Sequence, residues 1–317
     1  MRRVTVGIPA YNEEQNMLNL LQSIEEQHLH NCSISEIIVS DDSSDDTPDI
    51  VSKFAQHSSI KEVILLHHRQ RRGTAAAWNE IFQQASGDVV VLYDGDTIPH
   101  PWCTNQLVSR INGRTGGTLG LCASNSQPVQ KKGIAGRASV FVSNWLRSVR
   151  LAGLSQYTVM GRALAIDSSV AKNIQIPLDI IAIDLYLQCK VLEMGLKVVY
   201  DDDAIVYFKP ANQMQDLASQ VIRAINGHKQ IKDYISKFEI DLPTHVAIMK
   251  ALKNAVVDPV GAISVAIGYS TIPYYRSKLA TAGTNSAKWH TAESSKTIDY
   301  NQLKVTRRFS NSGVPLS

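Results

Sequence analysis

The sequence predicts an α/β fold built on a mostly parallel sheet, and three observations carry that prediction. Short apolar, β-branched runs alternate with helix-length segments. The runs are nearly continuous in their apolar character, as strands covered by helices on both faces must be. Polar residues cluster just after several of the runs. With 317 residues, 44% hydrophobic and 19% charged, the chain is too apolar for a disordered protein. It is long enough for one large domain, or one domain with an appendage.

In order, strands are expected at Val4–Ile8, Glu36–Ser40, Glu62–His67 and Asp88–Tyr93, with helices at Glu14–Gln27, Thr47–Gln56 and Thr74–Ala85. Single helices between successive strands give βαβ units. Beyond Ile98 the pattern loosens. Leu119–Ala123 and Thr158–Ile166 read as strands, and Ala182–Met194 as a helix stopped by Gly195. Lys197–Tyr200 and Ala204–Phe208 read as two short strands, with Asp201-Asp-Asp203 as a solvated acidic turn between them. Gln213–Ile235 places Leu217, Val221, Ile225, Ile231 and Ile235 on roughly one stripe of a long helix.

The net charge is only +3, too weak to indicate nucleic acid, but it is unevenly spread. From Arg276 to Ser317 it is +5, which leaves −2 for the first 275 residues. Cys32, Cys103, Cys122 and Cys189 lie far apart with no C-x-x-C pair. That spacing speaks against a structural zinc site and a disulfide scaffold, and suits a reducing compartment. The chain opens into a strand-like run without an apolar leader, so no signal peptide and a cytosolic first part are expected.

In parallel sheets ligands bind beyond the carboxyl ends of the strands. Four such ends carry polar residues: Pro9-Ala-Tyr-Asn-Glu13, Asp41-Asp-Ser-Ser44, Arg69–Gly73 and Asp94-Gly-Asp96. Asp94 and Asp96 could face one hard divalent cation, or simply form an Asp-Gly turn. Asp42 suits acceptance of a nucleobase N–H, because Asp45 or Asp46 already serves to cap the following helix. Tyr11 could lie flat against a base. Arg69, Arg71 and Arg72 before a helix N-terminus suit a diphosphate, or form a solvated basic loop.

Taken together, Pro9-Ala-Tyr-Asn-Glu-Glu14, Ile37-Ile-Val-Ser-Asp-Asp-Ser-Ser-Asp-Asp-Thr47, Gly73-Thr-Ala-Ala-Ala-Trp-Asn79, Gly87-Asp88 and Asp94-Gly-Asp-Thr-Ile-Pro99 resemble the inverting GT-A glycosyltransferases of family 2. The resemblance is strong over residues 3–102 and looser to about residue 236. It implies a Rossmann-like domain for a nucleoside diphosphate sugar, UDP- ahead of GDP-linked. Pro9, Tyr11, Glu13, Asp42, Arg72, Asp94 and Gly95 would line the donor, and Asp94 and Asp96 would hold Mg²⁺ or Mn²⁺ on its diphosphate. Ile183-Asp184 looks like the family's acidic pair that carries the general base, which assigns that role to Asp184 although Ile183 departs from the pattern. Gln220-Val-Ile-Arg223 resembles the Q-x-x-R-W segment of membrane polysaccharide synthases, with Ala224 in place of the tryptophan. Gln220, Arg223, Gly161 and Arg162 fall on the acceptor or diphosphate side. The implied reaction is a single displacement in which Asp184 deprotonates the acceptor hydroxyl.

Asp258-Pro259 opens an uncharged stretch that runs to Ile272 before Pro273, read as a helix with an Asp N-cap and Pro at N1. About 14 residues span roughly 21 Å, short of the ~30 Å hydrocarbon core. A core helix and an interfacial one both remain open. Thr244–Val257 upstream, and Tyr274, Tyr275, Arg276 and the basic tail downstream, favour a membrane surface. The expected division is therefore a glycosyltransferase domain over 1–236, a helical membrane-contact region over 237–277 and a basic tail over 278–317. The acceptor is expected to be a lipid or lipid-linked hydroxyl at the cytosolic membrane face. A soluble transferase for small acceptors and an inactive fold kept as a binding module are the rivals. A dinucleotide dehydrogenase is disfavoured because Pro9-Ala-Tyr-Asn stands where G-x-G-x-x-G would be.

Overall fold

The computed structural model describes residues 1–111, 119–129, 132–154, 162–240, 242–280 and 298. The first half follows the predicted alternation: β1 (Arg2–Ala10), α1 (Met17–Glu25), β2 (Cys32–Asp41), α2 (Thr47–Ala55), β3 (Val63–His67), α3 (Thr74–Gln84) and β4 (Val89–Tyr93). The chain continues through β5 (Thr97–Pro99), α4 (Cys103–Arg110), β6 (Leu119–Pro128) and α5 (Gly133–Val149), which runs into a π turn at Arg150–Leu154. Next come β7 (Ala163–Asp167), α6 (Ser168–Lys172), α7 (Ile183–Glu193) and β8 (Lys197–Phe208). The remaining helices are α8 (Met214–Gln230), α9 (Lys232–Lys237), α10 (Thr244–Val257), α11 (Pro259–Ser270) and α12 (Ile272–Ala280).

One eight-stranded sheet has the order β3-β2-β1-β4-β7-β6-β8-β5. β1 pairs in parallel with β2 and β4, β2 with β3, and β6 with β8. β7 runs antiparallel between β4 and β6, and β5 antiparallel on β8. Alternation along β4 shows why the runs are apolar throughout. Val90 and Leu92 join a core with Trp78, Ile81 and Phe82 of α3 and Leu185 and Leu187 of α7. Val89, Val91 and Tyr93 join the opposite core with Met17 and Leu20 of α1, Val51 of α2 and Leu107 of α4. Helices on both faces leave no wet side for polar residues.

Gly7 sets how closely α3 approaches the sheet. A Cβ there would lie 2.5 Å from Ile81 Cγ2 and 2.7 Å from Leu92 Cδ2.

Several expectations are corrected. β8 is one continuous strand, so Asp201-Asp-Asp203 is not a solvated turn. Asp201 is buried and pairs with Arg110 at 2.6 Å, while Asp202 receives two hydrogen bonds from Arg147. The long helix predicted over Gln213–Ile235 breaks at Ile231 into α8 and α9. Pro273 does not end the apolar helix: α11 stops at Ser270, and Pro273 lies in the first turn of α12. Asp258 does cap α11, accepting from Gly261 N–H at 2.9 Å. Gly195 ends α7 at φ 74°, as predicted, and the four cysteines are free and buried. Residues 158–161 of the strand predicted over Thr158–Ile166 lie outside the described residues, as does the tail including Trp289, apart from Ile298. Ile298 packs on Ile98 and Val129 beside β5.

Gly7→Ala should overpack this contact and lower stability by about 1–3 kcal/mol. A urea melt should show a lower midpoint with an unchanged slope.

Candidate active site

The carboxyl ends of β1, β2, β3 and β4 lie side by side because those strands pair in parallel, and their loops bind one another. Asp42 N–H donates to Ala10 C=O (3.0 Å) and His68 N–H to Asp41 C=O (2.8 Å). Asn12 adopts φ 54°, a left-handed conformation that asparagine tolerates. From there its N–H donates to Ser43 Oγ (2.7 Å), and its Oδ1 accepts from Ser44 N–H (2.9 Å). Glu13 N–H donates to Thr47 Oγ1 at 2.8 Å.

At the outer end, Tyr11 lies under the guanidinium of Arg71, 4.0 Å from ring centroid to Cζ. Asp42 is buried and accepts from Arg72 N–H (2.5 Å), Gly73 N–H (3.0 Å) and Arg72 Nε (3.0 Å). Its carboxylate therefore ties the start of α3 to the end of β2. Arg72 also donates to Ser40 Oγ (3.0 Å) and Glu80 Oε2 (2.9 Å). Arg72 thus faces a carboxylate network rather than an open diphosphate position. The network holds Glu80 below its ordinary pKa: burial opposes ionisation, and hydrogen bonds from Arg72 and Ser40 outweigh it.

Asp94-Gly-Asp96 forms the other half. Gly95 packs on Glu13 so closely that a Cβ would lie 2.8 Å from Glu13 Cγ. The buried amide of Asn16 donates to Gly95 C=O (2.9 Å) and Thr97 C=O (3.0 Å), which fixes the turn. Sequence reading passed over Asn16. A short polar residue just before a helix signals a cap, and nothing local reveals its contacts to residues 95 and 97.

Arg162 lies just before β7, opposite the end of β4. Its Nη1 is 3.0 Å from both carboxylate oxygens of Asp96 and 3.9 Å from Asp94 Oδ2. Desolvation in the crevice, reinforced by the charge of Asp96, pushes Asp94 up to about 7 even though Arg162 and Arg223 pull it down.

Asp184 lies in the first turn of α7, where its Oδ1 accepts from Leu185 N–H at 2.9 Å. Its recess pushes its pKa up, against the first-turn amides and Arg223. Gly227 lets α8 cross the start of α7, since a Cβ there would lie 2.8 Å from Ala182 Cβ. This crossing places Arg223 within electrostatic reach of Asp94, Asp96 and Asp184. Gln220 stands on α8 one turn before Arg223, while Gly161 lies outside the described residues.

Among the described residues no three His, Cys, Asp or Glu side chains cluster as a metal cage. The residues nevertheless fit a divalent ion. Asp94 and Asp96 offer hard oxygens and repel one another, and the guanidinium of Arg162 already stands between them as a cation. Such ions take their remaining ligands from phosphates and water.

A sheet of this order with an acidic pair beyond β4 and a second acid on α7 defines the GT-A class of glycosyltransferase fold. Residues 5–158 match the Glycosyl transferase family 2 domain. A probable glycosyltransferase, YdaM, of Bacillus subtilis is 35% identical over 107 residues, covering 33% of this chain and 26% of the relative. A dolichol-phosphate mannosyltransferase of Pyrococcus furiosus is 34% identical over 99 residues, covering 31% and 27%. The chain thus spans about a quarter of the length of these relatives in the matched stretches. Among solved structures, the mannosyltransferase PcManGT of Pyrobaculum calidifontis, in complex with GDP-Man and Mn²⁺, superposes with a TM-score of 0.58. That match has 21% identity and covers 97% of this chain and 84% of the other, a likeness of fold.

Raised above its ordinary 3.8, Asp94 favours the folded state only while protonated. Its stabilisation is full below about pH 4 and is lost as pH rises to about 7. Asp94→Asn should therefore gain melting temperature over wild type progressively across that window. Melts of the ligand-free proteins at stepped pH would show it.

Proposed function

We propose that this chain is an inverting glycosyltransferase, a hexosyltransferase that uses a divalent ion. It would move a sugar from a nucleoside diphosphate donor, UDP- ahead of GDP-linked, to a hydroxyl of a lipid or lipid-linked acceptor at the cytosolic face of a membrane. The observation that carries the reading is the convergence of Asp94, Asp96, Arg162, Arg223 and Asp184 on one crevice, next to the Tyr11–Asp42 end. Tyr11, its ring already stacked by Arg71, would carry the base, with Pro9, Glu13 and Gly95 shaping the floor. Asp42 would act there through the backbone it holds, its carboxylate being engaged by Arg72 and Gly73.

Asp94 and Asp96 would hold Mg²⁺ or Mn²⁺, which when bound supplies charge stabilisation to the leaving diphosphate. Arg223 and Arg162 add positive charge on that side, and Gln220 and Gly161 fall on the acceptor side. Asp184 is suited to take the acceptor proton. Burial raises its pKa and makes it a stronger base than an exposed aspartate, with the charge of Arg223 pulling the other way. No covalent enzyme intermediate is required. Asp184→Asn should lower kcat about 10²–10⁴-fold, while thermal stabilisation by nucleoside diphosphate and Mn²⁺ persists. A donor screen over UDP- and GDP-sugars is the assay, and full transfer activity in the variant would remove this assignment.

Support for a lipid surface comes from the C-terminal helices, outside the stretch matched to the family. α11 buries its small face, Gly261, Ser264 and Gly268, against α5 and α8, and exposes Val260, Ile263 and Ile267. α10 buries none of its residues, and Val256 and Val257 at its end are each 85% exposed. Exposed apolar residues concentrated on two successive helices are what an interaction site would present, and Lys250 and Lys253 on α10 suit anionic headgroups. No described helix is long and apolar enough to cross a membrane, so the contact would be peripheral. Val256→Asp with Val257→Asp should abolish flotation with anionic liposomes and leave transfer to a water-soluble acceptor intact. Wild-type protein that never floats would remove the membrane from this proposal.

A further inference from the structure

Arg162 departs from what a donor-binding arginine would show. Its charge is spent inside the acidic pair. One nitrogen touches both oxygens of Asp96 at 3.0 Å and stands 3.9 Å from Asp94. Its guanidinium also lies over the ring of Phe208, 4.4 Å from the centroid. The backbone is clamped independently of the side chain. Arg162 C=O accepts from Asp94 N–H (3.1 Å), and Arg162 N–H donates to Ser126 Oγ (3.0 Å). The antiparallel pairing of β4 with β7, which begins at Tyr93 opposite Ala163, brings residue 162 to the acidic turn. The side chain can therefore change partners while the strand stays in place.

We propose that Arg162 is a positioning residue that acts as a placeholder counter-ion. It holds the divalent-ion position between Asp94 and Asp96 until donor and metal enter, then yields it and moves onto the diphosphate. This rests on the transferase reading above. A guanidinium and a divalent ion cannot both neutralise the same oxygens, because at that separation they repel strongly. Metal alone must displace Arg162 into solvent, whereas metal arriving with a diphosphate gives it a new anionic partner of the kind arginine binds well. Metal and nucleotide therefore bind with positive coupling, and the coupling is reciprocal. The placeholder also relieves repulsion between two carboxylates that the turn at Gly95 forces together.

The test measures Mn²⁺ affinity by electron paramagnetic resonance of the free ion, with and without UDP or GDP, on wild type and on Arg162→Gln. Arg162→Gln should bind Mn²⁺ alone at least 5-fold more tightly than wild type, and the gain in affinity on adding nucleotide should shrink by a similar factor. Lost packing or partial unfolding cannot produce tighter metal binding. If Arg162→Gln fails to fold, Arg162→Met, which keeps the stem against Phe208, should show the same change. Unchanged or weaker Mn²⁺ binding in a folded variant, with coupling intact in wild type, overturns the placeholder and leaves the transferase reading standing. A wild type that binds no Mn²⁺ even with nucleotide overturns both.

Discussion

Carboxylates gathered at the ends of parallel strands repel one another, and the site depends on how that repulsion is compensated. Asp42 and Glu80 share Arg72; Asp94 and Asp96 share Arg162; Asp184 lies in reach of Arg223. Each arginine comes from a different part of the chain, namely the turn before α3, the entry to β7, and the middle of α8. Compensation by distant residues offsets that repulsion in a partly desolvated crevice. It also makes the second half of the sheet a requirement of the first half's chemistry.

The first half was legible because its signals are local. Apolar runs such as Val89–Tyr93 must be strands when both faces are covered, and the polar residues after them must meet once the strands pair in parallel. Asp42, Asp94, Asp96 and Asp184 stand out by type and place. What was not legible depends on partners far off in sequence. The acidic triplet of β8 looked like a turn because charged residues rarely run through a sheet. It runs through because Arg110 and Arg147 neutralise Asp201 and Asp202 across 91 and 55 residues. Beside a helix N-terminus Arg72 suits a phosphate or a solvated loop, whereas in the fold Asp42 and Glu80, the latter two turns along α3, engage it. Asn16 and Arg162 share that character, with roles set by register between elements and invisible in a window of residues.

The apolar stretch after Asp258 illustrates a further limit. Its capping chemistry predicted where α11 begins, yet its hydropathy left both core and interface open. In the structure the two sides of the helix differ: the small residues pack inward and the branched ones face out. Size alternation, rather than hydropathy, is the feature that separates the two sides.

The ion pair of Arg147 with Asp202 has a mechanical meaning. Arg147 sits on α5, the helix that carries α10 and α11, and Asp202 sits in β8 of the central sheet. Trp145, two residues earlier on α5, holds α10 through Ala247 C=O at 3.0 Å. The apolar face and the crevice are thus coupled through α5 like a foot and a hand on one strut. On the proposed reading, a surface under that face would set the height of the crevice above it, and an anchored acceptor would be selected by its reach.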